Sequence, residues 1–371
     1  MRWLFLALII VHGLIHFMGP AKAFGLADLP QLTQPISRGM GVVWLAAGAA
    51  MLFAGAAFVW GPRVWWLIAM GAVLLSQIAI VSSWTDARIG TVANVLILIG
   101  AIYGVASQGP PSFRASYAHA VETRLAARGN GEAPALTEAD MAHLPELVRR
   151  YLRVTGSVGQ PRIDHFRAAW RGRIRESPED AWMTFTAEQV NFTREDPARF
   201  FLMDARRSGL PVDVYHAFAD GAASMRVRVL SVIPVVDERG PELTLAETVT
   251  LFNDLCLLAP ATLIDPAIEW DAIDERSVRA WYTLGENTIS AVLEFNDAGE
   301  LVDFVSDDRF ATSDGGRMTP LRFSTPVRDY RTFGDRRLMT RGEGRWHPPE
   351  GAFAYIELEL VAFEVNGGRF R

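Results

Sequence analysis

The chain has 371 residues, half of them hydrophobic, with 36 Lys and Arg against 42 Asp and Glu and a formal net charge of −6. The first 111 residues hold five basic and two acidic side chains, leaving 31 basic and 40 acidic for the other 260. An acidic domain of that size excludes nucleic acid as its natural partner, because phosphates demand basic surface. One cysteine, Cys256, excludes an intramolecular disulfide and, within Leu255-Cys256-Leu257-Leu258, reads as a packing thiol rather than a nucleophile.

Four apolar segments, 3–18, 40–60, 64–83 and 89–106, are almost free of charge, and their lengths suit helices that cross a bilayer. Arg2, the apolar run behind it and Ala21-Lys22-Ala23 imitate a signal peptide. Three more segments follow, and His12 and His16 are unusual in such a leader, so a retained helix is expected. With four spans, the N-terminus and the large domain share one side of the membrane. The balance of Arg2, Arg63, Arg114, Arg124 and Arg128 against Lys22, Arg38 and Arg88 leans weakly towards a cytoplasmic domain and leaves the side open. A bacterial inner membrane is the expected location.

Within the second segment Ala46, Ala50 and Ala54 recur every four residues, near Gly48 and Gly55, a stripe suited to close helix packing. Trp60, Trp65, Trp66 and Trp84 suit the headgroup boundary. Polar groups in hydrocarbon are costly and face the bundle interior. His12 and His16 share one helix face, and Gln77 and Asn94 are their natural partners. Three readings stay open: an interhelical hydrogen-bond network, a proton or quinone site, and a metal site. Asp86 and Arg88 sit in one turn and are candidates to pair.

Gln108-Gly109-Pro110-Pro111 ends the last apolar segment. A helix is expected over 113–128, then a flexible connection at Gly129-Asn130-Gly131, then a second helix from near Thr137, capped by Thr137 and Asp140, to Gly156. The pattern then turns to period two over 163–174, 182–192, 199–205, 212–219 and 225–232, with Asp220-Gly221 as a hairpin turn. Residues 234–241 break it. Residues 242–258 switch to helical spacing, with Leu245, Val249, Phe252 and Leu255 on one face. Strands resume over 279–284, 288–295 and 301–307 and in a meander over 327–364, with Asn296-Asp297-Ala298-Gly299 as a tight hairpin. The expected divisions are a four-helix membrane domain over 1–108, a helical linker over 109–160 and a β-rich domain over 161–371. The fold class is a membrane α-helical bundle plus an α+β domain with a curved antiparallel half-barrel sheet and a helical plug.

The strand–helix–strand order and the hairpin Phe295-Asn296-Asp297-Ala298-Gly299-Glu300-Leu301 resemble the lipoprotein-carrier superfamily of half-open β-barrels. That resemblance implies a curved sheet around a hydrophobic cavity that helices plug. The whole chain is more similar to a family of bacterial membrane proteins of unknown function. Its pattern is carried by His12-Gly13-Leu14-Ile15-His16, Leu32-Thr33-Gln34-Pro35-Ile36, Trp84-Thr85-Asp86-Ala87-Arg88 and Leu144-Pro145-Glu146-Leu147-Val148-Arg149-Arg150-Tyr151-Leu152. Trp182 through Glu188-Gln189, Pro234-Val235-Val236-Asp237 and Glu269-Trp270 belong to it too. This second resemblance implies no particular activity.

No nucleophile elbow, His-Glu-x-x-His or paired-cysteine motif is present, so no catalytic residue, metal or cofactor is expected. Glu188 and His216 on neighbouring strands are the best acid–base candidates, and satisfied polar residues inside a barrel are the expected reading. Asn191-Phe192-Thr193 matches a glycosylation acceptor by chance. Asp307-Asp308 with Asp314-Gly315-Gly316 is too irregular for a calcium loop. Aromatic residues carry the remaining signal. The expected ligand-contacting set is Trp170, Phe185, Tyr215, Phe218, Tyr282 and Phe295 from strands, with Val249 and Phe252 from the plug. The expected function is a non-catalytic, membrane-anchored module that binds or carries a lipid or other hydrophobic small molecule. The alternatives are redox or proton handling by the His12/His16 pair, or a scaffold for other membrane proteins.

Overall fold

The structure is a computed structural model, and it describes residues 2–61, 64–128, 133–313 and 317–367. Arg63, the Gly129-Asn130-Gly131 connection and the Asp314-Gly315-Gly316 turn lie outside the described residues. The chain divides into two compact units, Met1–Ser116 and Tyr117–Arg371.

The first unit is helical: α1 (Arg2–Ile15), α2 (Met18–Ala23), α3 (Arg38–Trp60), α4 (Trp65–Ser82), the single turn α5 (Trp84–Ala87), α6 (Gly90–Gln108) and the start of α7 (Phe113–Ala127). Four stretches, Arg2–Ala23, Arg38–Trp60, Trp65–Ser82 and Gly90–Ala127, are long and apolar enough to cross a membrane. Glycines set the spacing between helices. A Cβ on Gly48 of α3 would stand 2.9 Å from the carbonyl oxygen of Gly13 on α1, and one on Gly100 of α6 would stand 2.3 Å from the Phe5 ring. The expected alanine stripe is offset. The buried positions on α3 are Gly41, Trp44, Ala47, Gly48, Met51, Ala54, Gly55 and Ala57, so of the expected stripe Ala54 is buried, Ala50 half-buried and Ala46 exposed. A step of four residues overshoots the helical period, so a strict i, i+4 stripe drifts off the packed face.

The second unit opens with the rest of α7, a short 3₁₀ turn (Ala139–Met141) and α8 (Glu146–Val154). The Thr137–Asp140 capping pair forms, with Thr137 N donating to Asp140 Oδ2 at 2.8 Å. It caps only the 3₁₀ turn, because Pro145 interrupts the backbone and becomes the N-cap of α8. Leu136, Met141, Leu144, Val148, Tyr151 and Leu152 belong to the main core.

Ten-residue strands follow: β1 (His165–Ile174), β2 (Met183–Phe192), β3 (Ala198–Arg207) and β4 (Leu210–Ala219). Asp220 and Gly221 both have positive φ, 54° and 71°, as a two-residue primed turn requires, and β5 (Ala222–Val229) returns from it. The stretch expected to break the pattern is instead β6 (Ile233–Arg239). Pro234 is tolerated there because β6 is an edge strand, where a missing N–H costs no ladder bond. Helix α9 (Pro241–Leu258) comes next, then β7 (Ile268–Ala272), β8 (Ser277–Leu284), β9 (Asn287–Phe295) and β10 (Leu301–Ser306). The expected meander is fragmented: β11 (Phe310–Ser313), β12 (Arg317–Pro320), β13 (Phe323–Ser324), β14 (Val327–Arg328), β15 (Arg331–Phe333), β16 (Arg336–Leu338), β17 (Arg341–Trp346) and β18 (Phe353–Val365).

The main sheet runs β6-β5-β4-β3-β2-β1-β18-β17-β13-β10-β9-β8-β7, antiparallel throughout and open at β6 and β7. Helix α9 links these two edges in sequence. It touches β5 and β6 near one edge and β9 and β10 near the other. In a flat sheet, β5 and β9 would stand roughly 43 Å apart at the usual strand spacing. A helix is about 10 Å across, so the sheet curls around α9. A curved, half-open antiparallel sheet holding a helix in its concavity is the fold the sequence pattern predicts.

Candidate functional site

Register decides which side chains meet α9. Directly paired residues on neighbouring strands share a face. One row is Ala168–Gln189–Phe201–His216 and the next is Phe166–Asn191–Arg199–Phe218. Both rows face α9, because Asp254 of that helix accepts hydrogen bonds from Gln189 Nε2 at 2.6 Å, Asn191 Nδ2 at 3.0 Å and Arg199 Nε at 2.7 Å. The rows that alternate with them, Arg167–Val190–Phe200–Ala217 and Ala169–Glu188–Leu202–Tyr215, face the other side.

This arrangement separates the expected acid–base pair. Glu188 lies on the convex face and pairs with Arg167 at 3.0 Å. His216 lies on the concave face, where its Nδ1 stands 3.5 Å from Glu247 Oε2 of α9. The proposed ligand-contacting residues divide in the same way. Trp170, Phe185, Val249, Phe252, Tyr282 and Phe295 are buried together in the main core. Phe252 stacks on Tyr282 with ring centroids 5.0 Å apart and an interplanar angle of 13°, and meets Phe304 edge-on at 5.8 Å. Phe218 belongs to a smaller cluster with Ala223, Leu243 and Leu251. Tyr215, three residues from Phe218 and therefore on the opposite face, packs against Tyr117 of α7 at 6.4 Å. Asn191 is fully buried and engaged with Asp254, so no sugar can be attached there in the folded chain.

The concave face also holds a charged cluster that the sequence reading missed. Glu247 is 2 % exposed. Around its carboxylate stand Arg199 Nη1 from β3 at 3.6 Å, His216 from β4 at 3.5 Å, and Arg309 Nη2 from the β10–β11 connection at 3.9 Å. The Thr250 hydroxyl donates to Glu247 at 3.1 Å and accepts from Arg309 Nη1 at 2.6 Å. Burial, with Arg199 and Arg309 adding to it against the attraction of Glu247, lowers His216 to about 4. Burial alone would raise the Glu247 carboxyl. Its neighbours His216, Arg309 and Arg199 hold it below the usual range, and with His216 neutral the two guanidiniums supply the charge. Burial holds Asp254 above the usual carboxylate range despite Arg199 and Asn191. The legible signal was the spacing of Glu247 and Asp254, two turns apart on one helix face, within a helix that has strands on either side in sequence.

In the helical unit, His12 Nε2 lies 2.9 Å from Asn94 Oδ1 and 3.1 Å from Ser76 Oγ. Asn94 Nδ2 donates to Gln77 Oε1 at 3.0 Å, and Gln77 Nε2 donates to Thr91 at 3.2 Å. His16 adjoins this chain: its Nδ1 bonds the His12 carbonyl at 2.8 Å, and its ring meets the His12 ring edge-on at 4.7 Å and Trp44 at 5.3 Å. Asp86 accepts from Thr33 Oγ1 at 2.7 Å and Gln34 N at 2.9 Å. Among the described residues no ion pair joins it to Arg88. No group of three metal-ligating side chains occurs among the described residues. Cys256 is buried, and burial raises its thiol well above the usual range.

An open antiparallel sheet closed on one apolar helix, with a buried ion cluster between them, defines a β-rich, helix-plugged domain. A family model, the family of unknown function DUF6544, matches residues 134–358, and the chain belongs to that family. No curated protein matches. Among solved structures, the chain is similar to a putative outer membrane lipoprotein-sorting protein domain from Vibrio parahaemolyticus, at 11 % identity and TM-score 0.33, covering 56 % of this chain and 87 % of that one. It is also similar to a DUF1329 family protein from Desulfovibrio piger (11 %, TM-score 0.36, covering 64 % and 96 %) and to a LolA superfamily protein from Nitrosomonas europaea (11 %, 0.34, covering 60 % and 93 %).

Proposed function

We propose that the second unit binds a hydrophobic small molecule, lipid-like in shape, and that the apolar helices of the first unit anchor it in a membrane. The supporting observation is α9. From Leu243 to Leu258 nearly every residue is buried, including Thr248 and Glu247, so the helix is enclosed on all sides. A helix is about 10 Å across, so its withdrawal would open a helix-wide, largely apolar trough lined by Trp170, Phe185, Tyr282 and Phe295. A trough of that kind suits acyl chains. Helix α9 joins the two open edges of the sheet and belongs to neither, so it can move without unpairing a strand. No catalytic step is assigned.

The test is native mass spectrometry of the full-length protein, followed by organic extraction. A defined lipid or quinone retained at about one per chain supports the reading. An empty protein that also takes up no fluorescent amphiphile overturns it.

A second reading rests on the chain of polar side chains His12, Ser76, Asn94, Gln77 and Thr91, which would serve proton or redox handling within the helical unit. Replacing His12 and His16 by leucine separates the two: the first reading expects unchanged ligand content in the folded variant, and the second expects loss of proton or redox activity.

A further inference from the structure

We infer that Glu247 occupies the seat of a ligand's own headgroup, and that Arg199, His216 and Arg309 form a recognition site for the anionic end of an amphiphile, a carboxylate or a phosphate carried on an acyl chain. The inference rests on the reading of α9 as a displaceable plug.

The two sides of this interface differ in chemistry. The helix contributes the acceptors, Glu247 and Asp254. The surrounding elements contribute donors: Gln189 Nε2 and Asn191 Nδ2 from β2, Arg199 from β3, and Arg309 from the β10–β11 connection. Withdrawing α9 therefore removes both carboxylates at once and leaves two guanidiniums facing the trough. Unpaired charge in a low-dielectric interior is strongly unfavourable. A neutral amphiphile would leave it unpaired, and an anionic one would restore the pairing.

The geometry around Glu247 is that of a loose occupant. Its ion-pair contacts with Arg199, His216 and Arg309 lie at 3.5 to 3.9 Å, beyond hydrogen-bond distance. Arg171 and Glu359, on the outer surface, show what a tight pair looks like in this chain, with two bonds of 3.0 and 2.8 Å. Arg199 Nη1, His216 Nε2 and Arg309 Nε are buried atoms without a hydrogen-bond partner. A buried donor of this kind calls for an explanation, and an anionic group in the place of Glu247 would supply one. Aromatic rings steady the guanidiniums: Arg199 lies 4.9 Å from the Phe201 ring, and Arg309 lies 4.5 Å from Phe323.

The experiment uses full-length protein in amphipol and two matched probe pairs: cis-parinaric acid with its methyl ester, and fluorescent phosphatidic acid with the corresponding diacylglycerol. The expected result is binding of at least one anionic probe about ten-fold or more tighter than its neutral partner, the least expected of one charge-assisted hydrogen bond. The tighter anionic probe names the headgroup as carboxylate or phosphate. R199Q and R309Q should remove the preference, and E247Q should keep it while tightening binding. If R199Q does not fold, the charge-balanced double variant R199Q/E247Q should fold and show no preference. Equal binding of anionic and neutral probes overturns the inference and leaves the hydrophobic-ligand reading standing. A preference that survives R199Q and R309Q also overturns it. Binding of no probe overturns both.

Discussion

Replacing Phe252 by alanine tests whether α9 yields its place to a ligand. The ring is fully buried, stacked on Tyr282 and set edge-on to Phe304. Truncating such a side chain costs roughly 3–5 kcal/mol, and the lost ring pairing is part of that loss. These contacts join α9 to strands β8 and β10, so the loss falls on the docking of the helix rather than on sheet pairing. If ligand binds only when α9 is withdrawn, apparent affinity scales with the withdrawn fraction. A weakening of about 3 kcal/mol then tightens binding by up to about a hundred-fold, less if the helix is already partly free. Titration of full-length F252A with cis-parinaric acid, beside a near-ultraviolet circular dichroism spectrum to confirm folding, measures this. A folded F252A with lowered melting temperature but unchanged or weaker binding would refute the reasoning, because ligand and helix would then occupy different places.

Asn94→Leu should lower the melting temperature of the detergent-solubilised protein by an amount corresponding to about 1–2 kcal/mol. It leaves His12, Ser76 and Gln77 without their shared partner. Gly48→Leu should be more damaging, since its side chain would meet the Gly13 backbone, and a loss of monodisperse protein on size exclusion would register it. A third prediction concerns pH. The folded state holds His216 near 4, whereas the unfolded chain protonates it near 6.5. Between those values the unfolded state binds the extra proton, so stability rises with pH. The contribution is fully present above about pH 6.5 and is lost as pH falls towards 4, a loss of about 3 kcal/mol. Thermal melts should show the wild type losing more stability than H216Q between pH 7 and pH 4. Asp303, which burial raises to about 6, works in the opposite direction in both proteins and cancels in the comparison.

The apolar pattern made the helices, most long strands and the plug legible. Hydrophobic period is a local property, and it survives in the fold wherever one face of an element is buried. The short strands between Phe310 and Leu338 were illegible because two- to four-residue strands carry too few alternations to show a period. The β6 edge was hidden by Pro234, which reads as a breaker unless the strand is known to lie at a sheet edge. The ion cluster was missed for a different reason. Leu245, Val249, Phe252 and Leu255 mark one apolar face of α9, and an amphipathic helix ordinarily turns its polar face to water. Here a curled sheet covers that face as well, so Glu247 and Asp254 are buried by a tertiary arrangement that no local window contains. Tyr215 shows the same limit from the other side. Its aromatic character suggested the trough, and only the strand register placed it on the convex face against Tyr117.

The central claim is that α9 fills the space a hydrophobic ligand would take. Hydrogen–deuterium exchange on the full-length protein, with and without a saturating anionic amphiphile, tests it most directly. The account predicts faster exchange along Pro241–Leu258 when ligand is bound, with the amides of β1 to β4 as protected as before. Helix α9 remaining equally or more protected at saturation would contradict it, and would place any bound molecule elsewhere on the protein.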